Sequence, residues 1–169
     1  MSVNEIIKKR KSIRAYKEGA VVTDDAIKTI LEAAMLAPSA RNTRPWEFII
    51  VKNRDKLESI TSLPNSHYNM LKTASLAIIV CANMEQQVGG FFPQDCAAAT
   101  QNILLQSAEL GLGSCWCGIY PKEDKVSEFR SLFDLSESIV PFSVIAIGEP
   151  AEEFGGRGFY EESKVKWID

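Results

Sequence analysis

The sequence predicts one domain in which helices are interleaved with buried strands, spanning residues 1–169. Three observations carry this. The chain has 169 residues, 46% of them hydrophobic and 24% charged, which suits one packed unit able to bury roughly two-thirds of its unfolded surface. Stretches with helical spacing alternate with short continuous apolar runs. No linker, repeat or low-complexity segment separates them.

Each element has its own signal. Ile6 and Ile7 sit in a short N-terminal helix ending in the basic cluster KKRKSIR. In TDDAIKTILEAAMLA, Thr23 is the expected N-cap, and Asp24 and Asp25 favour the positive end of the helix dipole. Ile27, Ile30, Leu31 and Ala34 follow helical spacing, and Pro38 ends the helix by biasing Ala37 out of the helical region. EFIIV reads as a strand, DKLESITSL as a helix, and SLAIIVCAN as a strand buried on both faces. PQDCAAATQNILLQSAELGLG is the longest helix, with Gly111 as its stop. SCWCGIY, KEDKVSEFRSLF and IVPFSVIAIGEP give strand, helix, strand, and the Gly-rich FGGRGFYEESKVKWID closes the chain.

Composition excludes several classes. A net charge of -3 and a pI near 5.3 argue against general nucleic-acid binding. No apolar run is long enough to span a bilayer, and MSVNEIIKKRK lacks the apolar core of a signal peptide. A cytoplasmic protein is expected, and its four cysteines should be thiols. Cys115 and Cys117 alternate with Trp116, as two small side chains on one strand face. Zinc asks for four ligands, and the chain has one histidine, His67, so no metal is expected.

Polar and basic residues concentrate in two places. Lys8, Lys9, Arg10, Lys11 and Arg14 form either a solvated helix end or an anion site. If extended, Arg10, Ser12 and Arg14 point to one side and offer two guanidinium forks and a hydroxyl, good chemistry for a phosphate. No GxxxxGK[ST] loop or post-strand GxGxxG is present; the glycines of GLGSCWCG follow a helix and lie inside a strand. The second place is APSARNTRPWEFIIV, where a short turn between a helix and a core strand carries two arginines, a serine and an asparagine. The long helix is a third anomaly. Ala97, Ala98, Ala99, Ile103, Leu104 and Leu105 leave it little polar surface, so a partner subunit is the expected cover, a core helix within one chain being the alternative.

Taken together, RKSIRAY, APSARNTRPWEF, QNILLQSAELGLGSCWCG and AIGEP resemble the FMN-dependent nitroreductase family in its short single-domain form, over Ile6 to Trp167. The resemblance implies an α+β fold, a mixed sheet between helices, and an intertwined homodimer holding two FMN at its interface. Arg10, Ser12 and Arg14 match the motif that reaches the flavin phosphate, ribityl chain and pyrimidine edge. Pro38, Ser39, Ala40 and Asn42 match the turn that approaches the flavin from the other subunit, and Trp116, Cys117 and Gly118 the strand whose backbone runs beside the ring. Arg157 matches a late phosphate contact. Gly155 replaces a lysine frequent in relatives, so the phosphate grip is either weaker or completed by Lys11, and Arg44 stands where many relatives have Gln, which leaves the edge of the substrate pocket open.

The implied activity is an FMN-dependent NAD(P)H oxidoreductase that reduces nitroaromatics, quinones or similar flat acceptors by ping-pong turnover. Such chemistry needs no protein acid, base or nucleophile, because the cofactor carries the reaction; Arg14 is the cation expected at the pyrimidine end, where reduction builds negative charge. Dehalogenation, enone reduction, flavin breakdown or a flavin-binding sensory module are the other readings. The sequence does not choose between NADH and NADPH.

Overall fold

Two long antiparallel strands form the spine of the molecule in the computed structural model, which describes residues 1–156 and 158–168. In chain order the elements are α1 (Val3–Lys9), α2 (Asp24–Met35), β1 (Trp46–Val51), α3 (Arg54–Thr61), β2 (Leu76–Asn83), α4 (Phe92–Glu109), β3 (Gly113–Gly118), α5 (Glu123–Phe133) and β4 (Ile139–Gly148). Short 3-10 turns lie at Ala40–Asn42, Asn69–Lys72 and Glu162–Lys164. The strand order is β1-β2-β4-β3, with every neighbouring pair antiparallel. Where a mixed sheet was expected, the four strands pair antiparallel throughout; a parallel contact occurs in the isolated bridge of Ser12 with Ser114, outside the strands.

The sheet is covered on both faces, which is why β2 and β4 read as unbroken apolar runs. Ile78, Val80 and Ala82 of β2 join Ile145 and Ile147 in one core, under Ile27, Ile30 and Ala34 of α2 and Ala99 and Ile103 of α4. Ala77, Ile79 and Cys81 point the other way, joining Val144 and Ala146 against Leu57 and Ile60 of α3 and Val126 and Phe129 of α5. The period-2 alternation of a strand divides one sequence between two cores.

Local chemistry sets the helix ends. Thr23 caps α2, its side chain accepting from the Ala26 N–H at 3.2 Å. Gly111 follows α4 with φ of 76°, the left-handed conformation glycine adopts without Cβ strain. Nine of the 18 residues of α4 are buried by α2 and the sheet. The buried hydroxyls of Thr100 in α4 and Ser143 in β4 pair at 3.2 Å, and Asn102 donates to the Ala33 carbonyl at 2.8 Å. The chain's own core therefore accounts for most of the apolar surface of α4, leaving Ala97, Ala98 and Leu105 half-buried. Among the described residues no helix is long and apolar enough to cross a membrane.

Candidate functional site

The basic segment after α1 is pinned to the sheet edge by one residue. Ile13 is fully buried and its N–H donates to the Ser114 carbonyl at 2.9 Å. A Cβ on Gly113 would fall 2.7 Å from Ile13 Cγ2, so only glycine lets the segment lie this close to β3. Tyr16 closes the clamp: its hydroxyl donates toward the Ile13 carbonyl at 2.7 Å and the Ala146 carbonyl at 3.2 Å, and burial pushes its pKa upward. With Ile13 inward, its polar neighbours turn outward.

Arg10, Lys11, Ser12 and Arg14 line a cavity of about 320 Å³ together with Glu152. Three cations face one carboxylate there. Glu152 Oε1 accepts from the backbone N–H of Arg14 at 2.5 Å and of Ala15 at 3.3 Å, and Oε2 lies 3.6 Å from Lys11 Nζ. The Arg14 backbone hydrogen bond, ahead of Ala15 and Lys11, holds this carboxyl below its ordinary 4.5. Glu152 was not distinguished in the sequence, where it is one of several acids after AIGEP. The glycine tail completes this end: the Gly155 and Gly156 N–H groups donate to the Lys9 and Lys8 carbonyls at 3.2 and 2.9 Å. Gly155 thus contributes a backbone bond to the end of α1.

Arg14 also borders a second cavity of about 380 Å³, walled by Trp116, Cys117 and Gly118 of β3 and by Tyr68, Met70 and Lys122. The expected residues Arg10, Lys11, Ser12, Arg14, Trp116, Cys117 and Gly118 are therefore gathered around two cavities with Arg14 as their common wall. Tyr68, Met70 and Lys122 were missed, because the segment that carries the first two has no helical or strand period. The Tyr68 hydroxyl donates to the Gly118 carbonyl at 3.4 Å, its ring meets Phe129 edge-on at 5.6 Å, and burial pushes its pKa up to about 12. The Trp116 ring packs on Phe142 at 5.9 Å. Lys125, also on this wall, is buried and bonded to Glu128 at 2.9 Å and to the Pro64 carbonyl, so its charge is already paired.

All four cysteines are free thiols. Burial pushes Cys81 and Cys96 up to about 12, which leaves them inert. Cys115 differs: its pairing with Cys117 lowers it against the effect of burial, with Arg14 and Ser12 assisting. Cys117 is pushed up by the same pairing and by burial.

Pro38, Ser39, Ala40 and Asn42 line neither cavity. Their turn is folded on itself. The Ser39 side chain accepts from the Arg44 N–H at 2.9 Å, and Arg44 Nε donates to Asn42 Oδ1 at 2.9 Å. Arg41, Asn42 and Arg44 have φ of 51°, 57° and 51°, a concentration of left-handed backbone that costs energy outside glycine and clusters at functional sites. Asp95 of α4 holds the turn from below, accepting from the Ala40 N–H at 2.9 Å; its other oxygen, Oδ2, is buried without a partner. Arg157 lies outside the described residues.

A four-stranded antiparallel sheet between helices, edged by a basic cavity and a second cavity on β3, defines an α+β protein. The Nitroreductase family profile matches residues 7–78 and 63–149, and the chain belongs to that family. It is 46% identical over 171 residues to a Methanothermobacter thermautotrophicus protein provisionally named NADH dehydrogenase/NAD(P)H nitroreductase, covering 99% of this chain and 88% of that one. An FMN-dependent nitroreductase from Clostridium difficile R20291 superposes with a TM-score of 0.89 at 31% identity, over 97% of this chain and 98% of that one. A provisionally assigned nitroreductase from Desulfovibrio desulfuricans, solved with FMN, superposes with a TM-score of 0.85 at 26% identity over 100% and 97%.

Proposed function

We propose that the chain is an FMN-dependent NAD(P)H oxidoreductase that reduces nitroaromatics, quinones or similar flat acceptors. The observation that carries this is the meeting of the Arg10–Arg14 segment with β3 across Arg14. The donor set suits the cofactor. Arg10, Lys11 and Ser12 offer charge-assisted hydrogen bonds to a phosphate, and one carboxylate among three cations leaves that cavity positive. Arg14, which lines both cavities, would be the cation for the pyrimidine end, and the backbone of Trp116, Cys117 and Gly118 would border the ring. Bound FMN supplies hydride acceptance and release; the chain's residues bind, orient and supply charge where electrons accumulate. Donor and acceptor would use the β3 cavity in turn, a ping-pong scheme that needs no protein acid or base.

The working unit in this reading is a cytoplasmic homodimer of single-domain chains. Two features support it. The Pro38–Asn42 turn is ordered and strained yet lines neither cavity of its own chain, and α4 keeps a half-buried strip at Ala97, Ala98 and Leu105. Each chain then lends Pro38, Ser39, Ala40 and Asn42 to its partner's cofactor, with Arg157 as a further phosphate contact.

The purified protein is expected to be yellow and to release FMN on denaturation. Anaerobic NADH or NADPH should bleach it and a nitroaromatic restore its colour. Arg10→Ala should weaken FMN binding by about 1.5–3 kcal/mol, the scale of a hydrogen bond to a charged group, without unfolding the chain. A colourless protein that takes up no added FMN defeats the reading; unchanged FMN affinity in Arg10→Ala reduces the basic cluster to a solvated helix end.

A further inference from the structure

The β3 cavity carries a cation that neither the cofactor reading nor the fold uses. Its wall includes Arg14, Lys122 and Lys125 and no carboxylate. Arg14 is assigned to the cofactor, and the buried Lys125 is paired with Glu128 at 2.9 Å. Lys122 is left over. It is exposed and, among the described residues, belongs to no ion pair. Glu123 and Asp124 follow it in the first turn of α5 but do not line the cavity. Nor does α5 call for a lysine there. Lys122 is its N-cap and makes no capping bond with its side chain, at a position where Ser, Thr, Asp or Asn is preferred and a cation opposes the helix dipole. Its backbone serves the fold, the N–H donating to the Ile119 carbonyl at 3.1 Å and the carbonyl accepting from the Val126 N–H at 2.9 Å, but those bonds need no particular side chain. Broken local rules of this kind are expected at functional sites.

The rest of the wall suits a flat ring. Tyr68, Trp116 and Tyr120 line the same cavity, and the Tyr120 ring is held by Phe92 at 5.0 Å and Phe142 at 6.4 Å. From the β3 residues assigned to the cofactor ring, the chain runs on through Tyr120 to Lys122, so aromatic wall and cation follow one another along one side. We propose that the acceptor reduced in this cavity is a flat aromatic bearing a carboxylate or a similar anionic group, and that Lys122 is the specificity-determining residue that binds it. This rests on the reading of the β3 cavity as the acceptor site. A carboxylate there accepts a charge-assisted hydrogen bond from the ammonium, with no acid on the wall to compete for it. A neutral analogue of the same shape forgoes that bond. NADH and NADPH are anions as well, so donor and acceptor have to be separated experimentally.

The full chain, saturated with FMN, is titrated by calorimetry with para-nitrobenzoate and with para-nitrobenzamide, which share ring and nitro group and differ in charge. Lys122→Gln should lower affinity for the benzoate relative to the amide by about 3–10-fold, between the scale of an exposed ion pair and that of a hydrogen bond to a charged group. Lys122→Glu should lower it further, and Lys122→Arg should restore it. In turnover, ping-pong kinetics give separate kcat/KM values for donor and acceptor, and the same pattern should appear in the ratio of the two acceptors, carried by KM. A benzoate-to-amide ratio unchanged in both Lys122→Gln and Lys122→Glu would overturn the assignment. So would an equal loss on both acceptors, which marks a structural role, or a loss confined to NADH and NADPH, which gives the cation to the donor. Benzoate binding that depends on Lys122, with neither compound reduced by the wild type, would leave the anion-binding role of Lys122 standing and defeat the oxidoreductase reading instead.

Discussion

The segment Arg10–Arg14 and the turn Pro38–Arg44 look alike in sequence, each a short run of arginines and hydroxyl or amide groups beside an apolar element. In the structure they part company. The first is anchored through Ile13 to β3 and presents its polar side chains to a cavity that contains little to satisfy them besides Glu152. The second spends its donors and acceptors on itself, Arg44 on Asn42 and Ser39 on the Arg44 N–H, in backbone held left-handed at three non-glycine positions. A polar cluster therefore does not declare whether it faces a ligand. What it is tied to decides that: Ile13 draws one segment across the sheet edge, and Asp95 fixes the other to the first turn of α4.

The largest expected effect breaks the comparison outright. One inactive variant carries Arg10→Ala and Arg14→Ala, the other Ser39→Ala and Asn42→Ala. If the turn serves the partner's cofactor, a mixed dimer has one site with both lesions and one with neither, so about half the sites in mixed dimers regain FMN and activity, as two-fold symmetry requires. Mixed dimers that regain nothing would place both regions in one chain's site, and the two segments would no longer differ in which subunit they serve.

A smaller effect isolates the anchor. Ile13→Ala empties a fully buried position and should cost about 2–5 kcal/mol of stability, the range for large-to-small core changes, read by chemical denaturation. FMN affinity should fall with it, because the segment no longer lies against Gly113. Lost stability with unchanged FMN affinity would show that the cations find their positions without Ile13.

The smallest effect tests the carboxylate that sets the segment apart from the turn. The folded state lowers the pKa of Glu152, so its contribution to stability is present above the ordinary value of 4.5 and is lost as pH falls through the folded value. With its side chain 35% exposed and screened by solvent, it should contribute about 0.2–1 kcal/mol at neutral pH. Glu152→Gln should lower the thermal midpoint slightly at pH 7 and match the wild type once the pH is below the folded value. A difference that persists at the lowest pH would mean the side chain acts through packing and not charge.

The elements were legible because their signals are local. Thr23 caps α2 and Gly111 ends α4 as expected, since capping depends on residues within one turn, and apolar runs mark β2 and β4 because both faces of the sheet are covered. The basic cluster was legible as chemistry, two forks and a hydroxyl. Glu152 was not, because nothing local separates it from Glu149 and Glu153; only the long-range approach of the tail to Arg14 selects it. Met70 was hidden for the same reason, in a segment without period, until packing set it against Cys117.

By itself the sequence determined which stretches are helix or strand, that two polar runs had to be explained, and that β3 carries paired cysteines on one face. Tertiary structure alone decided that the N-terminal segment bridges to Ser114, that Arg14 becomes the wall between two cavities, and that α4 is covered mostly by its own chain. Periodicity and capping are properties of neighbours in sequence. Cavities, pairings and burial arise between residues far apart in the chain, such as Arg14 and Glu152, and exist only once the chain has closed on itself.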